Sequence, residues 1–296
     1  MTRGLTKDYG QEHGLFDLDL EVNAGEVFGY LGPNGAGKTT TIRLLMGMIY
    51  PNRGSALIFG LDAQRQAVEV KRHVGYIPGE LPTFGGLRGS EIVAYVGGLR
   101  GGIDHQRVKA LAERFELDLG RRFREYSHGN KQKLAIVLAF MHRPELYFLD
   151  EPTTGLDPLN QQEFYQLLKE VRTDGATIFL SSHILSEVEH VGDRVGILRG
   201  GHLVKISSLD ELHHIHVHEV EIEFSGEPPA ARLRAIPSLE QLLIDGHRVR
   251  GTIRGSFEPL MAALDGERIT DFVSREPSLE EIFLTYYQDE AAASRR

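Results

Sequence analysis

The 296 residues carry 33 basic and 42 acidic side chains, a formal charge of -9, and such a balance argues against a nucleic-acid partner, which calls for a basic face. No cysteine is present, so disulfides and thiolate chemistry are excluded. The longest apolar run, 134–141, is too short to span a bilayer, and no N-terminal signal segment is expected from the polar first eight residues.

Residues 1–26 alternate as strands do, with Leu15, Phe16, Leu18, Leu20 and Val22 as apolar positions. Tyr9 precedes them in a polar stretch; it is either a surface aromatic or, beside a nucleotide, a stacking platform for the base. The apolar segment 27–31 predicts a buried strand. After it comes Gly32-Pro33-Asn34-Gly35-Ala36-Gly37-Lys38-Thr39-Thr40, which fits G-x-x-x-x-G-K-[ST]. A helix is expected next, carrying Ile42, Leu44, Leu45 and Met48 and stopped by Pro51. Strand, glycine loop and helix give the pattern its mechanism. Backbone N–H groups turn inward around phosphate oxygens, and the helix N-terminus adds its partial positive charge. Lys38 would reach the outer phosphates and the Thr39 hydroxyl would ligate magnesium. The chain is therefore expected to bind a nucleoside triphosphate.

Residues 51–54 read as a turn, 55–60 as a strand, and 74–77 as a strand that breaks at Pro78-Gly79-Glu80. Over 81–143 strands disappear, and glycine-broken amphipathic segments predict a helical insert in an α/β frame. The insert ends in Ser127-His128-Gly129-Asn130-Lys131-Gln132 before an apolar helix. Ser127 is an N-cap candidate there, and the helix start is either simply capped or a second anion site aided by Lys131 and Lys133. The apolar strand 146–149 runs into Asp150 and Glu151. In a phosphate-loop fold, the first acid holds the metal and the second can polarise a water. Asp157 and Pro158 predict an N-cap and first turn for a helix over 159–171. A further buried strand, 177–180, ends at Ser181-Ser182-His183, and a histidine at that edge can bond a phosphate or the attacking water. A hairpin around Gly200-Gly201 closes the first domain near residue 212.

In this order the motifs resemble those of ABC transporter ATPase subunits, over residues 9 to about 212. The resemblance makes 32–40 the Walker A loop and the stretch from Ser127 to Gln132, with Ser127, His128, Gly129 and Asn130, the signature. It makes Asp150 and Glu151 the Walker B pair, Asp157 part of the D-loop, His183 the switch histidine, and Tyr9 the adenine-stacking aromatic. It implies a head-to-tail homodimer with two ATP and magnesium sites, each closed by the partner's signature, driving a separate membrane permease from the cytoplasmic face. Gly79 stands where the family usually places a glutamine, with Glu80 beside it, and the signature reads Ser-His-Gly-Asn. Similar wording occurs in the branch paired with ABC-2-type exporter permeases. Two other readings are a soluble ABC-type ATPase acting on nucleic acid or ribosomes, and a weakly hydrolysing nucleotide-binding regulator.

The expected fold class is thus an α/β P-loop NTPase core of ABC type with a helical subdomain, residues 1–212, plus a small α+β accessory domain, residues 213–296. Strands are expected in the accessory part near 220–224, 239–243, 249–253 and 269–273, and helices near 230–236 and 257–264. A last helix is signalled by Ser278 and Glu281 as a capping box, with Leu279, Ile282, Phe283 and Tyr286 as its apolar stripe. His213, His214, His216 and His218 raise a metal hypothesis. The apolar phase slips between Val217 and Val220, no acid or cysteine completes a set, and no metal site is assigned there.

Overall fold

A computed structural model describes residues 1–213 and 217–275. The last predicted helix, and His214 and His216 of the histidine cluster, lie outside these residues. The chain divides into two units, Met1–Leu209 and Asp210–Arg296.

In the first unit the strands are β1 (Thr2–Asp8), β2 (Gly14–Leu20), β3 (Val27–Leu31), β4 (Arg53–Ile58), β5 (Leu61–Asp62), β6 (Val74–Ile77), β7 (Leu146–Asp150), β8 (Thr177–Ser182), β9 (Arg194–Arg199) and β10 (His202–Ser208). The helices are α1 (Lys38–Leu45), α2 (Ala67–Arg72), α3 (Gly89–Leu99), α4 (His105–Arg114), α5 (His128–Phe140), α6 (Pro158–Thr173), α7 (Leu185–Glu189) and α8 (Leu209–His213), which runs over the boundary. Two sheets result. One is antiparallel, in the order β2-β1-β4-β5; the other runs β10-β9-β3-β8-β7-β6. In the second sheet β9, β3, β8, β7 and β6 are parallel and only β10 is antiparallel, as the closing partner of β9. Its central strands β3, β7 and β8 are buried along their whole length, which is why they read as unbroken apolar runs rather than as alternation.

The core between the sheets and α1 is built on aromatic rings. Phe179 stands 5.0 Å from Tyr30, 5.7 Å from Phe28 and 5.6 Å from Phe148 between ring centroids. The Tyr30 hydroxyl pairs with the Thr41 hydroxyl at 3.2 Å, and burial pushes its pKa upward. α1 is thereby tied to β3, the strand that feeds the glycine loop.

One expected boundary is corrected. α1 stops at Leu45 rather than just before Pro51, and Met48 is 46% exposed instead of lying on the buried stripe. Gly47 adopts φ +59, its N–H donates to the Leu44 carbonyl, and the Met48 N–H donates to that of Arg43. This left-handed cap ends the helix before the proline can. Over 81–143 the regular elements are helical, as expected, with only an isolated bridge between Arg88 and Arg122. Among the described residues no helix is long and apolar enough to cross a membrane.

His142, just past α5, gives the unit a pH dependence. Burial first, then the charge of Arg100, pushes its pKa down from 6.5 to about 4, outweighing its bond to the Val74 carbonyl at 3.4 Å. The unfolded chain then binds more protons than the folded one between those values, so stability falls as the pH drops below about 6.5. The loss between pH 7 and pH 5 is about 2 kcal/mol. Melting temperatures at the two pH values should diverge less in His142→Gln than in the wild type.

The second unit contains β11 (Val217–Phe224), α9 (Ala230–Arg234), β12 (Leu239–Asp245), β13 (Arg248–Arg254), α10 (Glu258–Leu264) and β14 (Ile269–Arg275). Its antiparallel sheet runs β12-β13-β11-β14. Val220, Ile222 and Phe224 point to the core with Val249 and Ile253, against Leu233 of α9 and Leu260 and Leu264 of α10. The intervening Glu219, Glu221 and Glu223 form cross-strand ion pairs with Arg275, Arg248 and Arg250 on the other face. Among the described residues of this unit, the strands expected near 220–224, 239–243, 249–253 and 269–273 and the helices expected near 230–236 and 257–264 are present. The His218 ring lies at a tilt against that of Phe257, 4.7 Å between centroids.

Candidate nucleotide site

Parallel register brings the candidate residues together. β8 lies between β3 and β7, with Leu31 level with Ser182 and Asp150 level with Ser181. The carboxyl ends of all three strands therefore meet at one edge, where ligands bind in open α/β sheets.

At that edge the loop from β3 enters α1 through Gly37, the N-cap, with φ +108. A side chain there would be strained, and its Cβ would lie 2.8 Å from the Gly14 carbonyl oxygen. Because glycine carries no capping side chain, and the first turn of α1 has no acid, the N–H groups at this terminus are left for an external anion. Pro33, Asn34 and Gly35 are exposed, Gly37, Thr39 and Thr40 are half-buried, and Gly32, Ala36 and Lys38 are buried.

Lys38 is 6% exposed. Its ammonium donates to the Gly32 carbonyl at 2.6 Å and the Pro33 carbonyl at 3.3 Å, and lies 3.2 Å from Glu151 Oε1. Asp150 is fully buried; its Oδ1 accepts from the Ser181 hydroxyl at 2.5 Å and its Oδ2 from the Thr39 hydroxyl at 2.7 Å. Glu151 leaves the strand with φ +50, a left-handed turn, and its Oε2 lies 2.6 Å from His183 Nδ1. Lys38, Thr39, Asp150, Glu151 and His183, distant in sequence, thus form one contiguous group. A hydroxyl and a carboxylate oxygen 2.7 Å apart are hard-oxygen donors of the kind magnesium selects, so Thr39 and Asp150 fit that ion.

The remaining candidates stand around this group. Gly79 backs onto it: a Cβ there would come 3.0 Å from Asp150 Oδ2, so a side chain at 79 would press on that carboxylate. Glu80 is exposed. Tyr9, 57% exposed, follows β1 and carries the Lys7 ammonium 5.4 Å from its ring centre. Ser127 is exposed and caps α5, its hydroxyl accepting the Asn130 N–H at 3.3 Å. His128 and Gly129 lean on Gly155, whose carbonyl oxygen would be 2.7 Å from a Cβ at 129, so the helix start packs against the segment that leads to Asp157. Asp157 caps α6; hydrogen bonds from the Asn160 backbone and side chain hold its carboxyl below the usual range. Lys131 lies over the Phe123 ring at 5.2 Å. Lys133 is corrected: it is buried, close enough for its charge to act on Asp157, and does not reinforce an exposed anion site.

Sequence reading missed the hydroxyls that hold these groups. Ser181 fixes Asp150 only because β7 and β8 pair in this register, and Gln132 donates to the Pro152 carbonyl at 2.7 Å across the interior. Neither partner is visible from local spacing.

A phosphate loop on one strand, an acid pair on a second and a histidine on the strand between them define the class as an ATP-binding cassette. Residues 15–154 match the model of the family described as ABC transporter. The chain is 36% identical to the bacitracin transport ATP-binding protein BcrA of Enterococcus faecalis over 78% of its own length and 76% of that protein. It is 33% identical to the Nod factor export ATP-binding protein I of Cupriavidus pinatubonensis, over 95% and 88% of the two chains. Among solved structures, an ATP-binding subunit of an ABC transporter superposes with a TM-score of 0.67 at 32% identity, over 72% of this chain and 90% of that one. The cassette MJ0796 bound to ADP and phosphate, at 22% identity and a TM-score of 0.64, shares the fold. The chain belongs to the ABC transporter family, among its ATP-binding subunits, and is an ATPase of that class.

Proposed function

We propose that two copies of this chain bind two ATP molecules head to tail and use their hydrolysis to drive export through a separate integral-membrane permease, on whose cytoplasmic side they sit. The observation that supports the chemistry is the single cluster of Lys38, Thr39, Asp150, Glu151 and His183 at one sheet edge. The export direction draws on relatives named for bacitracin transport and Nod factor export.

In this reading the loop 32–40 cradles the phosphates with its N–H groups, and the Lys38 ammonium moves from its carbonyl partners onto the outer phosphates. Thr39 and Asp150 would hold magnesium, which neutralises phosphate charge when bound. Glu151 accepts the proton of the attacking water. His183, already bonded to Glu151, orients that carboxylate and faces the terminal phosphate. Ser127 and Gly129, on an exposed capped terminus, serve the partner's nucleotide, which Tyr9 of the same partner stacks upon. Asp157 lies at the D-loop between the two sites.

The test is to solubilise membranes from cells producing the tagged chain and identify what is retained with it. An integral-membrane protein held at near one-to-one stoichiometry is expected. Retention of nucleic acid or ribosomes instead, with affinity falling steeply in salt, would overturn the permease reading.

A further inference from the structure

Behind the catalytic group lies a second polar cluster to which the mechanism assigns nothing. Glu187, on α7, is buried, and a carboxyl group there needs partners. It has two: its Oε1 accepts the Thr153 hydroxyl and its Oε2 the Ser182 hydroxyl, both at short range. Thr153 is 4% exposed and Ser182 fully buried, so water does not compete for these bonds. The two hydroxyls belong to different segments. Thr153 opens the stretch that continues to Asp157, two residues beyond Glu151, and its carbonyl accepts the Leu156 N–H at 3.0 Å. Ser182 immediately precedes His183, and its Oγ also accepts the Ile184 N–H at 2.9 Å, fixing the turn that carries the histidine.

We infer that Glu187 is a positioning residue for ATP hydrolysis: its carboxyl group clamps the segment after Glu151 to the strand end that carries His183, so that the 2.6 Å contact between Glu151 and His183 is held from both sides. The physical basis is bidentate acceptance. One rigid planar group bonded at both oxygens fixes the separation of two backbone segments more tightly than either bond alone, in an interior where an unmade bond is expensive. The Pro152 carbonyl just before Thr153 accepts from Gln132 of α5, so the same clamp extends toward the helix that begins at Ser127. A displacement there would be passed to His183 through Thr153 and Glu187 rather than through the nucleotide.

This inference rests on the proposed roles of Glu151 and His183, and its test separates the two. Steady-state ATPase kinetics, nucleotide affinity and melting temperature are measured for Glu187→Gln, Thr153→Val, Ser182→Ala, the Thr153→Val/Ser182→Ala double variant and Glu151→Gln. The amide of Glu187→Gln keeps one acceptor oxygen but cannot accept at both ends. It should lower kcat by about tenfold or more while ATP affinity stays within about twofold, because no nucleotide contact changes. The two hydroxyl variants should each lower kcat, and their combination should fall no further than Glu187→Gln, since all three break one unit. Normal kcat in both Glu187→Gln and the hydroxyl double variant overturns the inference. So does a loss of affinity and melting temperature in step with kcat, which marks a purely structural role. Should Glu187→Gln fail to fold, the hydroxyl variants alone decide: additive, independent losses count against the clamp. Normal turnover in Glu151→Gln would sink the base assignment. Its loss there beside normal turnover in the clamp variants would sink only the clamp.

Discussion

Glu151→Gln is expected to bind ATP at least as well as the wild type and to lose turnover by about 10²-fold or more, the range associated with a positioned general base. The amide keeps the shape of the side chain at the end of β7, but it cannot accept a proton from water. It also removes the negative charge 3.2 Å from the Lys38 ammonium, which frees that cation for incoming phosphate and raises rather than lowers affinity. If hydrolysis is what separates the two copies, the variant accumulates as an ATP-held dimer. Size-exclusion chromatography with and without ATP, beside a phosphate-release assay, reads both effects. Wild-type turnover, or a chain that stays monomeric with ATP bound, would remove Glu151 from the role given to it.

Lys38→Ala should fail at the earlier step. The buried Lys38 ammonium contacts the loop carbonyls and Glu151, and charge-assisted contacts to phosphate are each worth about 1.5–3 kcal/mol. ATP affinity is expected to fall about 10²-fold, with turnover following it down. Glu151 is left beside the phosphate position without its cation, which adds repulsion to lost attraction. The pair of variants is informative together: one separates binding from chemistry and the other abolishes both. Isothermal titration with a non-hydrolysable ATP analogue measures the difference directly, and an unchanged dissociation constant for Lys38→Ala would displace the nucleotide from the glycine loop.

The replacement of the family's usual glutamine by Gly79 acquires a physical meaning in the fold. Position 79 faces Asp150 closely enough that any side chain would press on its carboxylate, while Glu80 stays exposed.

Local pattern was enough for most of the elements, because each strand and helix advertises its own period. Buried parallel strands read as apolar runs, α6 carries its Asp157 cap and Pro158 at its first position, and Ser127 caps α5. Pattern misjudged the end of α1, since Pro51 is the louder stop signal while Gly47 acts first through its φ of +59. It misjudged Lys133 too: a lysine after a capped helix start looks exposed in sequence, and only the packing of α5 turns it inward.

The chemistry of the loop 32–40 and the acid pair belonged to the sequence alone, because glycine, lysine, threonine and paired carboxylates at those spacings have few other uses. Which groups hold those residues in place was decided by tertiary structure. Ser181 meets Asp150, and Glu187 joins Thr153 to Ser182, because of the register of two parallel strands and the burial of a short helix. Those contacts link residues up to 34 positions apart, and hydrogen bonds over such separations leave no periodic trace in a chain.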